Sequence, residues 1–167
     1  MNLRLAKTED LPQLKIVYNE IIKNMYRNNI KIWNEIYPYV EFPNDIEKKN
    51  LYLLTKNNDI VATFAISEEN SEGECLKWKN PQEKAIYIKR IGVNVNYLRQ
   101  GIGGLVIKNT IEIAKQKNVK YLRLLVVTNN KPAINLYLKN GFEQVEGLYD
   151  QEFEDSIITE YGFELEI

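Results

Sequence analysis

The 167 residues can form one domain with a sizeable core, and 44% hydrophobic with 27% charged residues is typical of a soluble globular protein. The formal net charge of −1 argues against a nucleic-acid-binding protein. The sequence has no histidine and one cysteine, which excludes a Ser-His-Asp triad, a Cys–His pair, a histidine-based metal site and an internal disulfide. It shows neither a signal-peptide core nor a membrane-length apolar run, so we expect a cytoplasmic protein.

The first half of the chain predicts one strand, helical segments and a hairpin. Alternating apolar and polar residues indicate a short strand over 2–6. Apolar residues recur at helical spacing from Leu11 to Met25, and Thr8 is the predicted N-cap of this helix. A second helix, one further helical turn and two strands joined by an Asn-Asn-Asp turn follow, over 30–37, 44–49, 51–56 and 60–67.

The second half predicts long strands that alternate with helices. Polar residues indicate a loop over 68–82. Pro132 lies in the first turn of the last predicted helix, and Gly141 is a suitable residue to follow its end. Strands are predicted over 84–95, 121–128, 142–148 and 157–167, and helices over 103–117 and 133–139. This order favours an α+β fold, a mixed sheet with helices on its faces.

A glycine-rich segment lies between the predicted strand 84–95 and the helix that follows it. Its residues are Arg99, Gln100, Gly101, Ile102, Gly103 and Gly104. Glycines leave backbone N–H groups accessible, and a helix N-terminus adds partial positive charge, so the segment suits phosphate oxygens. The alternative, a helix start that only requires tight turns, remains open on this motif alone.

Two common nucleotide-binding motifs do not fit this segment. The third glycine of a dinucleotide-binding Gly-x-Gly-x-x-Gly would fall on Val106, and residues 119–127 contain no acidic residue for a ribose. A Walker A loop requires Gly-Lys-Ser/Thr, which is absent. A nucleotide-binding domain is therefore disfavoured.

A second motif, N-x-x-A-x-x-L-Y-x-x-x-G-F, runs from Asn130 to Phe142. Together the two motifs resemble the GNAT superfamily, the acyl-CoA-dependent N-acetyltransferases. The resemblance covers most of the chain and implies a single GNAT domain over 1–167. It also implies a central, mostly antiparallel mixed sheet of about six to seven strands with helices on both faces.

The resemblance implies a site for acetyl-CoA or coenzyme A. The backbone of 99–104 would contact the pyrophosphate, although the family's leading Gln/Arg position falls on Leu98. The pantetheine arm would pair with the strand edge at Ile91 and Val93, as a peptide adds to a sheet. Asn130 matches a cofactor-contacting asparagine and would also cap the following helix. Ala133 would be small because the cofactor passes close to it.

The resemblance also implies direct attack by an amine of a small molecule or peptide in a ternary complex. Tyr137 would protonate the leaving thiolate, the alternative being a core aromatic. The glutamate that serves as base in some members is replaced by Tyr87, so a water chain is the expected base. Trp33 and Tyr87 are the candidate substrate residues. The sequence does not give the acceptor, and it leaves a homodimer and a non-catalytic acyl-CoA sensor open.

Overall fold

The computed structural model describes residues 1–69 and 75–167, and the predicted loop 68–82 lies partly outside them. The chain divides into two units. Unit 1 comprises Met1–Ile66 and Arg90–Val106, and unit 2 comprises Ser67–Lys89 and Ile107–Ile167. Strand β5 and helix α3 each contribute residues to both units. The helices and strands in chain order are β1 (Asn2–Leu5), α1 (Leu11–Arg27), α2 (Phe42–Glu47), β2 (Leu51–Lys56), β3 (Asp59–Ser67), β4 (Leu76–Lys77), β5 (Ala85–Val93), α3 (Ile102–Gln116), β6 (Tyr121–Val127), α4 (Lys131–Lys139), β7 (Glu143–Gln144), β8 (Glu146–Gly147), β9 (Tyr149–Phe153) and β10 (Ser156–Glu166).

Unit 1 is built on an antiparallel meander covered by helix α1. Strand β2 pairs with β1 and with β3, and a turn at Asn57 and Asn58 joins β2 to β3. Both turn residues have positive φ, which asparagine tolerates better than most residues. The apolar face of α1 packs with residues of β2 and β3 in one buried cluster. Leu14, Tyr18 and Phe42 are among its fully buried side chains.

Unit 2 is built on β6 and the long strand β10. The first four residues of β5 run parallel to β6, from Ala85 opposite Tyr121 to Ile88 opposite Leu124. Strand β10 is antiparallel to β6 and also pairs with β7 and β9. The parallel pairing of β5 with β6, beside antiparallel ones, makes the sheet mixed, as expected when a helix connects two parallel strands.

The predicted fold class is confirmed. Within residues 1–69 and 75–167, the larger sheet is mixed and has eight strands, close to the six to seven that we expected, and a second sheet pairs β4 with β8. The number of domains stays a prediction. Across the residues that the structure describes, no helix combines the length and the apolar character that crossing a membrane requires.

Four local predictions were wrong. The predicted loop over 68–82 contains strand β4, which forms because Leu76 and Lys77 pair with β8. Residues 30–37 form no helix, because the Asn34 side chain accepts hydrogen bonds from the Ile36 and Tyr37 amides and closes a turn. Thr8 does not cap α1, which follows a 3₁₀ turn over Thr8–Asp10. Residues 142–148 form two separate two-residue strands, β7 and β8, which pair with different partners.

A buried charge pair joins β6 to β10 within unit 2. Arg123 Nε donates to Glu164 Oε2 at 2.7 Å, and both side chains are 1% exposed. Arg123 also donates to the Asn80 carbonyl and to the Tyr87 hydroxyl, while Glu164 accepts from the Lys79 amide. Because each charge has several partners, the pair is compatible with a buried position.

Glu164→Gln is expected to destabilise the fold by about 3 kcal/mol, since the variant leaves the Arg123 charge buried without its counterion. The measurement is urea unfolding at pH 7. The matched control is Glu166→Gln on the same strand, where the exposed side chain predicts a change within about 0.5 kcal/mol. Equal losses in the free energy of unfolding for the two variants would contradict the assignment of Glu164 as the buried counterion of Arg123.

Candidate acyl-donor site

The glycine-rich segment forms a left-handed loop at the start of α3. Arg99 has φ +59° and Gly101 has φ +75°, a backbone that suits glycine at the second position. The Leu105 amide donates to the Gly101 carbonyl at 3.1 Å and begins the helical hydrogen-bond ladder. By helix geometry, the amides of 102–104 therefore have no intrahelical acceptor, and they coincide with the positive end of the helix dipole. This arrangement can bind phosphate oxygens.

The residues before the loop attach it to strand β3. The Asn94 amide donates to the Val61 carbonyl at 2.9 Å, and its side chain donates to the Ile60 carbonyl at 2.8 Å. Asn94 Oδ1 also accepts from the Asn96 amide and caps a 3₁₀ turn over Val95–Tyr97. The entry to the loop is thus fixed by hydrogen bonds within unit 1.

The side chains around the loop contribute less to a phosphate site than its backbone. Gln100 Nε2 donates to the Asn96 carbonyl at 3.2 Å, so this amide is used within the loop. Leu98, at the position where the family carries Gln or Arg, is 41% exposed and has no polar group to offer. The site within unit 1 is therefore mainly a main-chain site, with the exposed Arg99 beside it.

The last residues of β5 form the second part of the predicted donor site. Ile91 and Val93 are half-buried. Arg90 precedes them with φ +54°, which is unusual for a residue other than glycine within a strand. The backbone consequently changes direction just before the two residues that were predicted to pair with the pantetheine arm.

Unit 2 carries the second motif at the start of α4. Asn130 Oδ1 accepts from the Ala133 amide at 3.3 Å, which confirms Asn130 as the N-cap of this helix. Ala133 is half-buried in its first turn. Gly141 follows the helix with φ +87°, the left-handed conformation expected after a helix end.

Tyr137 lies on the buried side of α4. Its ring centroid is 5.9 Å from that of Phe142 and 6.1 Å from that of Phe163, and the side chain is 6% exposed. Burial, with a smaller contribution from the charge of Glu160, raises the pKa of the Tyr137 phenol well above its usual value. The phenol is therefore protonated throughout the neutral range, which a proton donor requires.

The two predicted substrate residues are both buried. Tyr87 in unit 2 is 4% exposed, and its hydroxyl accepts from Arg123 Nη1 at 3.0 Å. Trp33 in unit 1 is 9% exposed and packs on Tyr18, with ring centroids 5.5 Å apart. These contacts favour roles in the packing of each unit, and substrate contact stays a prediction for both.

The predicted site residues fall into two groups. Unit 1 holds Ile91, Val93 and the loop 99–104, and unit 2 holds Asn130, Ala133 and Tyr137. Three carboxylates near the strand ends that could serve as the base, Glu68, Glu69 and Glu83, are exposed, and Glu68 forms an ion pair with Lys117 at 2.9 Å. Tyr18 and Asp45, which contact Arg90, carry no local sequence motif that marks them as part of a site.

The chain matches the model of the acetyltransferase (GNAT) family over residues 17–142. A cattle thialysine N-epsilon-acetyltransferase is 36% identical over 86 residues, which are 50% of this chain and 49% of that protein. The chain thus spans about half the length of this relative. The Bacillus subtilis protein YhfO, described as an uncharacterized N-acetyltransferase, is 26% identical over 88% of this chain and 93% of its own length.

A solved structure shows the same fold over nearly the whole chain. It is an acetyltransferase of the GNAT family from Streptococcus agalactiae, with a TM-score of 0.86 at 14% identity. The match covers 99% of this chain and 95% of that one. At this identity the likeness establishes the fold.

Proposed function

The chain belongs to the GNAT acetyltransferase family, and from this premise we propose that it transfers an acetyl group from acetyl-CoA to a primary amine of a small molecule or peptide. The observation that carries the proposal is the left-handed loop from Arg99 to Gly101 at the N-terminus of α3. It offers backbone donors and a helix dipole to a pyrophosphate. The cytoplasmic location and the single domain are retained as predictions, and a homodimer stays open.

The acceptor must lose a proton before it attacks the thioester. An alkylamine of pKa about 10.4 is neutral in roughly one molecule in ~2,500 at pH 7, a cost of about 4.6 kcal/mol. The family glutamate is replaced by Tyr87, whose hydroxyl already accepts from Arg123. We therefore assign this proton to a water chain, while the amides near Val93 polarise the thioester carbonyl.

The test is a thiol-release assay with acetyl-CoA and a panel of primary amines. The panel includes thialysine, lysine, small alkylamines and peptides with a free N-terminus, because the similar cattle protein is named for acetylating an ε-amine. We expect CoA release that depends on one class of amine, with the acetylated product identified by mass spectrometry. Absence of acetyl-CoA binding in calorimetry would refute the proposal.

A non-catalytic acyl-CoA sensor is the second candidate. Two departures from the family pattern favour it, Tyr87 in place of the glutamate and Leu98 in place of Gln or Arg. The same assay separates the candidates. Tight acetyl-CoA binding without CoA release for any amine in the panel would support the sensor and contradict transfer.

Substitutions of Asn130 separate its capping of α4 from its proposed contact with the cofactor. Asn130→Ala removes the cap of α4 and is expected to cost about 1 kcal/mol of stability. Asn130→Asp caps equally well and should restore stability, but its negative charge should weaken acetyl-CoA binding about tenfold if the side chain meets the cofactor. Thermal unfolding and calorimetric titration measure the two effects. Full affinity in the aspartate variant would limit Asn130 to capping.

A further inference from the structure

Arg90 adopts a backbone conformation that its neighbours must enforce. Its φ of +54° lies in the left-handed region, although Arg90 lies inside strand β5 and is followed by another residue that is not glycine, Ile91. A non-glycine residue persists in this region only where the surrounding structure holds it there. The contacts of Arg90 therefore show what determines the direction of the strand end.

The side chain of Arg90 is held by a carboxylate from α2. Its Nη2 donates to Asp45 Oδ1 at 2.6 Å and its Nε donates to Asp45 Oδ2 at 2.9 Å. The two side chains are 11% and 6% exposed, and the guanidinium also donates a hydrogen bond to the Tyr37 phenol oxygen. Burial alone would lower the pKa of Arg90, but the charge and hydrogen bonds of Asp45, together with Tyr37, outweigh burial and raise the pKa. The paired ions are thus the stable state.

The backbone of the same residue is held by a phenol from α1. Tyr18 Oη donates to the Arg90 carbonyl at 2.7 Å, and the Tyr18 side chain is 1% exposed. A Cβ added at Gly92 would lie 2.7 Å from Tyr18 Oη, so glycine is required at this position for the phenol to reach the strand. Side-chain and main-chain contacts from two helices therefore converge on one residue.

The place of Arg90 in strand β5 relates its contacts with Asp45 and Tyr18 to the predicted donor site. The parallel pairing of β5 with β6 runs to Ile88, and Arg90 follows two residues later. The half-buried residues Ile91 and Val93 come directly after it, and their amides are those expected to meet pantetheine and thioester. Any change in the Arg90 backbone would change where these amides point.

We propose that Asp45 and Tyr18 are positioning residues, which hold Arg90 left-handed and so aim the amides of Ile91–Val93 at the acyl-CoA. The inference rests on the proposed function, since it needs a bound acyl-CoA. Both side chains are buried, so we assign them an action through Arg90 and not on the reacting atoms. Their substitution should therefore affect the use of acetyl-CoA beyond any effect on the fold.

The chain offers a matched control for the ion pair. Arg4 and Asp10 form a second two-point pair in unit 1, with both hydrogen bonds at 2.7 Å. These contacts hold the pKa of Asp10 below its usual value. Neither residue has positive φ, so this pair supports the fold without fixing a left-handed strand residue.

The experiment compares Asp45→Asn and Tyr18→Phe with Asp10→Asn. Each variant is assayed under conditions where urea unfolding shows it to be fully folded. We expect kcat/KM for acetyl-CoA to fall about tenfold for Asp45→Asn and for Tyr18→Phe, and to stay within twofold for Asp10→Asn. Equal kcat/KM in all four proteins, the parent included, or the same loss in all three variants would overturn the inference.

A double variant supplies a measurement that a purely structural role of Asp45 would leave unchanged. Glycine adopts positive φ without strain, so Asp45→Asn combined with Arg90→Gly should regain part of the lost kcat/KM. No recovery would argue that Asp45 acts only through packing, against the inference. A parent protein that fails to bind acetyl-CoA would refute the proposed function instead, which distinguishes the two failures.

Discussion

Gly103→Glu is expected to abolish acetyl-CoA binding, with a loss of about a thousand-fold in affinity. Gly103 lies in the first turn of α3, where we propose that backbone amides hold the pyrophosphate. A carboxylate placed about 4 Å from a phosphate charge costs about 4 kcal/mol at a partly buried site. Each 1.4 kcal/mol is a factor of ten in affinity. Calorimetric titration with CoA measures the loss.

Two further variants separate charge, size and folding. Gly103→Gln adds the same bulk without the charge and should retain more affinity than the glutamate variant. Gln116→Glu adds the same charge at the other end of α3 and should bind CoA like the parent. A glutamate in the first helical turn is favourable for the helix itself, so lost binding would not reflect unfolding. Normal affinity in Gly103→Glu would contradict the loop assignment.

Local patterns predicted those parts of the fold that local forces determine. The helical spacing from Leu11 predicted α1 because one face of that helix enters the core. Gly101 in the loop and Gly141 after α4 marked positions where the backbone turns left-handed. In 30–37 the apolar residues suggested a helix, but Asn34 offered the backbone a competing set of hydrogen bonds. The hydrogen bonds of the Asn34 side chain thus favoured a turn over a helix in this segment.

The pairs that fix the interior of each unit could not be predicted in the same way. Arg90 and Asp45 are 45 residues apart, and Arg123 and Glu164 are 41 apart. Such partners are chosen by strand register and by which helix covers a strand, neither of which appears in a local pattern. In the sequence all four residues resemble ordinary surface charges. Gly92, which lies inside strand β5 and away from any turn, is the local sign of the close approach of Tyr18.

Strand β9 was missed for a related reason. Its sequence, Tyr-Asp-Gln-Glu-Phe, has exposed polar residues at its centre and lacks β-branched residues. It is a strand because it pairs with β10 across a turn at Glu154, which has φ +54°. Backbone pairing with an existing strand can thus form a strand that intrinsic preference does not favour.

Tyr137→Phe is expected to lower kcat by about a hundredfold or more while the affinity for acetyl-CoA changes less than threefold. General acid catalysis contributes about 10²–10⁴-fold, and phenylalanine keeps the ring packing against Phe142 and Phe163.

Because burial raises the pKa of Tyr137, its proton is retained through pH 10, and we expect no loss of kcat from this group up to that pH. The raised pKa also makes the phenol a weaker acid, so it stabilises the leaving thiolate chiefly by donating a hydrogen bond to it. Steady-state rates at saturating amine, with the less buried Tyr161→Phe as control, test this. Equal losses in kcat and affinity would indicate a packing role.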